Sequence, residues 1–417
     1  MSMSDFKITE LGLIPINWQI KTVGEMVKET IIEKPLDGNH GEIHPKGSDF
    51  MQSGIPFIMA TDIKNGQIDL TNCKFISEEQ ARSLNKGFSI VDDVLITHKA
   101  TLGRTAIVGR NDFPFIMLTP QVTYYRVKDK TKLSNSYLRY YFNSSIFQDV
   151  LKNHADSGST RAYVGITAQL ELPIILPPLE EQKAIAEVLT SLDDKIDLLH
   201  KQNKTLEQLA ETLFRHHFID NSKDDWEEGN VTDEFSLTMG QSPPGNSFNE
   251  EGLGIPMFQG NADFEFRFPK KRIYTTEPKK FAEKYDTLIS VRAPVGEQNM
   301  ASERCCIGRG VAAFRYKNEQ NFYSYTYFKM KSLMEEIKQF NQTGTVFGSI
   351  SKTDFENLKI TIPSFDEVSN FQEKIFPIDS KIITNCDQIK SLEKLRDKLL
   401  PKLMSGEIKL NQQTNNQ

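Results

Sequence analysis

Cysteine is scarce in this 417-residue chain, and the four that occur (Cys73, Cys305, Cys306, Cys386) show neither Cys-x-x-Cys spacing nor a histidine at ligand distance. Structural zinc and a disulfide framework are thereby set aside, and reduced, buried thiols are expected. No apolar run approaches a membrane span, and the opening Met1-Ser-Met-Ser-Asp-Phe-Lys7 has no apolar core of signal-peptide length. The expectation is a soluble cytoplasmic protein with no membrane partner. Catalytic patterns are missing too. There is no Asn/Asp-Pro-Pro-Tyr/Phe tetrapeptide, no Gly-x-x-x-x-Gly-Lys-Ser/Thr loop and no clustered Asp…Glu-x-Lys pattern. Gly308-Arg309-Gly310 is too short to cradle a pyrophosphate without a following amphipathic helix. His216 and His217, adjacent on a helix, point about 100° apart and do not easily share a metal. Asp193 and Asp194 read as solvated helix charges. The chain reads as non-catalytic, with no metal.

What the chain does have is a duplication. Residues 156–218 reappear over 342–403, shifted by 186 positions: Gly158 falls on Gly344, Thr167 on Thr353, Leu172 on Leu358, Pro177 on Pro363, Asp193 on Asp379 and Leu206 on Leu392. Earlier segments match with drifting offsets, Gly54-Ile-Pro56 with Gly254-Ile-Pro256 and the strand at 93–97 with that at 286–290. A period this long is too large for a solenoid unit. It implies two copies of one module, each ending in a helix, and a pseudo-twofold protein.

The helices are legible from spacing alone. Ile185, Leu189, Leu192, Ile196, Leu199, Asn203, Leu206, Ala210 and Leu213 follow a 4-3 alternation, the a/d seam of a coiled coil. Phe371, Ile375, Ile378, Ile382, Asn385, Ile389, Leu392, Arg396 and Leu399 repeat it. Each seam holds one Asn, a residue type that costs stability and fixes register. Pro178, Glu180 and Glu181 suit a helix start. Pro377 is expected to kink or restart the second helix, and Pro401 with Ser405-Gly406 to close it. Before each helix come short β-branched or aromatic runs (54–60, 93–97, 105–108, 122–127, 287–291, 310–314) and one helix, at 136–151 and at 322–340. The modules are therefore α+β.

The net charge of −6 argues against a nucleic-acid partner, but its distribution argues for one. Residues 86–132 carry eight Lys/Arg against four Asp/Glu, and 264–317 twelve against six, whereas 220–234 carry seven acids and Lys223 alone. The modules are basic and the connectors acidic.

Taken together, these residues resemble the specificity subunit of Type I restriction-modification systems over essentially the whole chain. The motifs are Leu176-Pro-Pro-Leu-Glu-Glu-Gln182, Leu213-Phe-Arg-His-His-Phe218, Trp226, Met239-Gly-Gln-Ser-Pro-Pro244, Gly252-Leu-Gly-Ile-Pro256, Arg292-Ala-Pro-Val-Gly296, Cys306-Ile-Gly-Arg-Gly310 and Leu400-Pro-Lys-Leu-Met-Ser-Gly-Glu407. The second helix departs from the pattern, opening Ile362-Pro-Ser-Phe-Asp-Glu367. The resemblance implies two target recognition domains, 1–176 and 220–362, joined by two long antiparallel coiled-coil helices, 177–219 and 363–410, with a disordered tail at 411–417. It implies recognition of a bipartite, asymmetric double-stranded DNA site. The partners it implies are two methyltransferase subunits and restriction/translocase subunits. S-adenosylmethionine, ATP and Mg2+ would sit on those partners and no cofactor on this chain. About 30 helical residues span roughly 45 Å, against about 34 Å for a turn of B-DNA. The competing reading is a coiled-coil interaction scaffold without DNA.

DNA contacts are expected from loops beside the motifs. His98-Lys-Ala-Thr-Leu-Gly-Arg104 aligns with Val291-Arg-Ala-Pro-Val-Gly296, placing Lys99 opposite Arg292. With Lys99 go Thr101, Arg104 and Tyr163. Gly158-Ser-Thr-Arg161 aligns with Gly344-Thr345 and adds Ser159, Thr160, Arg161, Thr343 and Thr345; Arg309 completes the set. The spacer and subunit interface is assigned to the seams, from Ile185 to Leu206 and from Ile378 through Ile382, Asn385 and Ile389 to Leu392.

Overall fold

The computed structural model describes residues 5–155, 162–339 and 348–410. The chain divides into two compact units, Met1–Ile196 with Ser391–Gln417, and Asp197–Lys390. The tail expected at 411–417 lies outside the described residues. So do Ser159, Thr160, Arg161, Thr343 and Thr345.

Each unit is a mixed helix and sheet module, and both follow one plan. In the first unit a sheet runs in the order Thr105–Ile107, Val94–Thr97, Val122–Tyr125, Leu36–Asp37. The second repeats it as Gln298–Met300, Thr287–Ser290, Val311–Tyr316, Phe235–Met239. All these pairings are antiparallel. A second sheet in each unit centres on one parallel pair, Ile55–Ile58 with Ile116–Leu118 and Ile255–Phe258 with Cys305–Ile307. A two-stranded ribbon then closes each module: Gln19–Thr22 with Pro173–Leu176, and Glu227–Asn230 with Lys359–Ile362.

The central strands are buried along their whole length because both faces are covered. Val94, Ile96 and Tyr125 point into a core shared with the helices, whereas Leu95, Val122 and Tyr124 point into one shared with the second sheet. The single helix expected at 136–151 is two, Asn135–Asn143 and Ser145–Asn153. Ser144 adopts an extended conformation between them and caps the second with its hydroxyl, which accepts from the Phe147 amide. The counterpart expected at 322–340 likewise divides, into Tyr323–Ser332 and Met334–Gln339. All four cysteines are free and buried. No helix among the described residues is long and apolar enough to cross a membrane.

Two long helices follow the modules, Leu179–Arg215 and Phe365–Met404. Of the kink or restart expected at Pro377, the restart does not occur, since one helix runs through it. A proline in a helix removes one backbone hydrogen bond. Here burial of Ile375, Asp379 and Ile382 on either side holds the turn in place. Within the second unit, Asn203 and Asn385 are fully buried and bonded to each other, the Asn385 amide donating to Asn203 Oδ1 at 2.8 Å and to Gln202 Oε1 at 2.9 Å. Phe214 meets Phe371 in the same unit, so these helix segments run antiparallel. Within the first unit, Ile185 and Leu189 share a core with Leu403 and Met404.

Asp193 corrects the sequence reading. Asp194 is exposed as expected, but Asp193 accepts from Arg139 Nη1 and the Tyr140 hydroxyl, both at 2.8 Å, and from Arg396 Nη1 at 3.1 Å. Its repeat partner Asp379 is wholly buried, bonded to the buried guanidinium of Arg267 and to the Ser324 hydroxyl at 2.7 Å. Each long helix is thus fastened to its own module by a carboxylate at the same position of the repeat. Asp379→Ala strands a buried arginine, so unfolding free energy should drop by about 3–5 kcal/mol, against within about 0.5 kcal/mol for Asp194→Ala. Urea unfolding of the two variants checks this, and equal losses would contradict it.

Candidate nucleic-acid interface

The loops that sequence alignment pairs are the same loop in three dimensions. In the first unit the loop over 97–104 leaves one central strand and returns on its neighbour. The Gly103 amide donates to Thr97 O at 2.8 Å, the Thr97 amide to Arg104 O at 2.9 Å, and the Arg104 amide to the Thr97 hydroxyl at 2.9 Å. In the second unit the Gly296 amide donates to Ser290 O at 2.9 Å, the Ser290 amide to Glu297 O at 2.8 Å, and the Glu297 amide to the Ser290 hydroxyl at 2.9 Å. Gly103 and Gly296 both turn the chain at positive φ, +81° and +85°, a conformation side chains disfavour. Arg104 is therefore the counterpart of Glu297.

A second strand pins each loop. Lys99 forms an isolated antiparallel bridge with Tyr163, and Arg292 forms one with Ser349. The Val164 amide donates to His98 O at 3.0 Å, and the Ile350 amide to Val291 O at 3.1 Å. A third segment sits beside each loop: the His98 amide donates to Gln121 O at 3.0 Å, and the Val291 amide to Gly310 O at 2.9 Å. Hence Arg309, in the turn before Gly310, stands next to the loop that carries Arg292.

The structure brings Lys99, Thr101, Arg104 and Tyr163 together around one loop, and Arg292 with Arg309 around the other. Lys99 is half-buried with its ammonium 5.6 Å from the centre of the Tyr163 ring, a cation–π arrangement that leaves the charge available. Thr101 is exposed. Arg104 is exposed, with Nη1 donating to Ala60 O at 3.1 Å, so its guanidinium is partly committed to its own module. Arg292 and Arg309 are exposed, and no ion pair or side-chain hydrogen bond holds either among the described residues. The Arg309 amide accepts no such freedom: it donates to the Ser242 hydroxyl at 3.3 Å.

Sequence reasoning missed the group beneath the first loop. His98 is fully buried and its Nδ1–H donates to Val164 O at 3.0 Å, which fixes the tautomer and ties loop to strand a second time. Its Nε2 lies 3.8 Å from the buried Asp37 carboxylate, which is bonded also to Lys86 and, at 2.8 Å, to His40 Nε2. These partners come from positions 37, 40, 86 and 164, so no local spacing could reveal them. Val291 occupies the equivalent place in the second unit.

Two copies of one sheet module, each presenting the same braced basic loop and each followed by a long helix, define a class of duplicated recognition protein. The chain belongs to the family of the Type I restriction modification DNA specificity domain, whose sequence profile matches residues 15–208 and 223–399. It is similar to a Methanocaldococcus jannaschii protein provisionally named the MjaX type I restriction enzyme specificity subunit, with 29% identity over 97% of each chain. It is also similar to the MjaIX specificity subunit of the same organism, with 26% identity over 98% of this chain and 97% of that one. Among solved structures, the S subunit of a type I restriction-modification system from M. genitalium shares the fold, with a TM-score of 0.58 and 17% identity over 93% of this chain and 96% of that chain. Members of the family are the non-catalytic DNA-recognition subunits of type I enzymes, and the family carries no cofactor of its own.

Burial pushes the His98 imidazole below the ordinary histidine value, against the smaller opposite pull of the Val164 carbonyl and Asp37. The folded chain then binds fewer protons than the unfolded one below about 6.5, the usual histidine value. Stability is present above that pH and is lost as pH falls through it. Between pH 7.5 and 5.5 the urea midpoint should decline more in the native chain than in His98→Gln. Parallel declines would show that His98 does not titrate out of step with the unfolded state.

Proposed function

We propose that this chain reads a bipartite, asymmetric double-stranded DNA sequence, one half-site per module, and positions methyltransferase and restriction/translocase subunits on it. The observation that carries the reading is the shared braced loop. The ends of its backbone are pinned by the same bonds in both modules, yet the tip they hold differs: Lys99-Ala-Thr in one, Arg292-Ala-Pro in the other. A common frame with different projecting groups suits two readers of different half-sites. Lys99, Thr101, Arg104 and Tyr163 would serve the first half-site, and Arg292 with Arg309 the second. Ser159, Thr160, Arg161, Thr343 and Thr345 belong to the same proposal on sequence grounds.

The domain boundaries follow: recognition domains at 1–176 and 220–362, spacer helices at 177–219 and 363–410. The seam residues, Ile185 to Leu206 and Ile378 to Leu392, are buried or half-buried within the chain. They would set the spacer, leaving the outward faces of the helices for two methyltransferase subunits. S-adenosylmethionine, ATP and Mg2+ would be bound by those partners, in the cytoplasm, as part of host defence. Methylome sequencing of cells with and without the chain tests the whole proposal: a bipartite methylated adenine motif should vanish with the chain. Exchanging residues 1–176 for those of a relative should alter one half of that motif and spare the other. A change in both halves would refute the half-by-half assignment.

At the residue level, Lys99→Ala should weaken binding to every duplex alike and reduce the salt slope by about 1. Arg292→Ala should cost about 1–3 kcal/mol confined to one base of the second half-site, because a planar guanidinium suits a guanine edge. Affinities for cognate and single-base-variant duplexes at several salt concentrations decide between phosphate and base contact. Unchanged affinity and slope in both variants would remove these loops from the interface.

A further inference from the structure

The two modules differ sharply at one junction. After the equivalent turns Ala60–Asp62 and Asn261–Asp263, the first unit makes a tight hairpin closed by Ile63 opposite Ile68, and the second an equivalent turn closed by Phe264 opposite Pro269. Counting between those pairs sets Lys64 against Glu265, Asn65 against Phe266 and Gly66 against Arg267. Gly66 and Arg267 share positive φ, +78° and +64°. The helix repeat Ser136-Tyr137 and Ser324-Tyr325 likewise sets Arg139 against Tyr327.

In the second unit Arg267 fills the junction, buried, with its guanidinium carbon 3.9 Å from the centre of the Tyr327 ring and bonded to Asp379. In the first unit the filling side chain is missing. Gly66 stands in its place, and a Cβ there would lie 1.7 Å from Arg139 Nη2. Arg139 instead supplies the guanidinium that neutralises Asp193. What remains is an open, polar pocket of about 470 Å³, walled by Lys64, Arg104, Arg139 and Arg396, with Asp397 at its side.

Its charge is unbalanced. Asp193 and Asp397 answer Arg139 and Arg396, but no salt bridge reaches Lys64 or Arg104 among the described residues. The nearby acids Asp62 and Asp69 accept from backbone amides, Met59 N at 2.8 Å and Asn72 N at 3.0 Å, and attract Lys64 from outside the pocket without a salt bridge to it, so that the lining itself holds four cations against Asp397. Arg139 Nε is buried without a partner. In the second unit the residues matching Lys64 and Arg104 are Glu265 and Glu297, so both cations are replaced by acids where the pocket is plugged.

We propose that the pocket of the first module is an anion site for a phosphoryl group, which the second module has lost by filling it with Arg267. The group could be a backbone phosphate of bound DNA or a free phosphorylated ligand, since a fork of guanidinium and ammonium donors suits either. The pocket shares Arg104 with the first module's loop, but Lys64, Arg139 and Arg396 lie outside the residues assigned to sequence reading.

The test uses the full chain, with pyrophosphate as the free probe and a cognate duplex as the other. Lys64→Glu installs the second module's residue at an exposed position. Gly66→Arg with Arg139→Tyr installs its plug. Calorimetry should show one pyrophosphate per chain, weakened about tenfold or more by Lys64→Glu and abolished by the plug, with the thermal midpoint of Lys64→Glu unchanged. If DNA supplies the phosphoryl group, duplex should displace pyrophosphate and Lys64→Glu should cut the salt slope of duplex binding by about 1. If a free ligand does, duplex and pyrophosphate should bind together. Absence of pyrophosphate binding together with an unaltered duplex slope in Lys64→Glu would overturn the proposal. Loss of duplex binding in Lys99→Ala under that same outcome would leave the DNA-reading function standing.

Discussion

A carboxylate placed in the middle of a long helix, facing inward, must be neutralised there or the helix cannot pack. Asp193 and Asp379 impose that constraint at equivalent points. Every element around them answers it: Arg139, Tyr140 and Arg396 in one unit, Arg267 and Ser324 in the other. A buried ion pair is weak evidence of net stabilisation, because desolvation offsets the attraction. Its stronger effect is on geometry. A leucine there could slide by a turn at modest cost, whereas the aspartate can sit only where its donors are. The helix is thereby held in one register on its module, and the Asn203–Asn385 pair applies the same restriction between helix segments within the second unit.

The duplication shows how such a constraint survives divergence. The guanidinium that meets the helix carboxylate comes from a turn in the second unit and from a helix in the first. The exchange is reciprocal: where the turn supplies Arg267 the helix supplies Tyr327 to stack on it, and where the helix supplies Arg139 the turn supplies Gly66 to make room. Either change alone would leave two arginines competing for one volume or, in the second unit, Asp379 without a cation in a low dielectric, Asp193 keeping Arg396. The pair of solutions is physically closed, and intermediate combinations are costly.

Much of the architecture was legible in the sequence because it rests on local rules. The 4-3 apolar spacing found both long helices, short β-branched runs found the central strands, and the offset of 186 found the duplication. The misreadings share a cause. Pro377 was expected to kink or restart a helix because local propensity says so, and the restart was overridden by tertiary burial of its neighbours. The helices at 136–151 and 322–340 divide where Ser144 and Leu333 leave helical geometry, a break that apolar spacing does not register. Asp193 was taken as solvated because charges on helices usually are, and its partners lie 54 and 203 residues away. A signal did exist: Asp193 and Asp379 occupy matching positions in the repeat, and a repeated charge inside a repeated apolar seam asks for an inward partner. The His98 and Asp37 contact had no such signal.

The candidate interface follows the same division between frame and projection. In each module the eight-residue loop is closed at its ends through the strand hydroxyl, the glycine amide and the flanking strand, bonds that do not involve the side chains of Lys99 or Arg292. Lys99 and Arg292 occupy one bridged backbone position with different chemistry, and the ends of the loops are pinned alike, while the tips differ: Ala100 has φ +66° in the first and the Ala293–Pro294 peptide is cis in the second. Arg104 and Glu297 go further and reverse sign at one site. A surface built this way can alter what it contacts without renegotiating its fold, because the energetic cost of ordering the loop is met by backbone bonds common to both modules. Recognition could then differ between two halves of one chain while the modules stay alike in plan, and on the proposed reading specificity would rest on a few projecting groups held above a common frame.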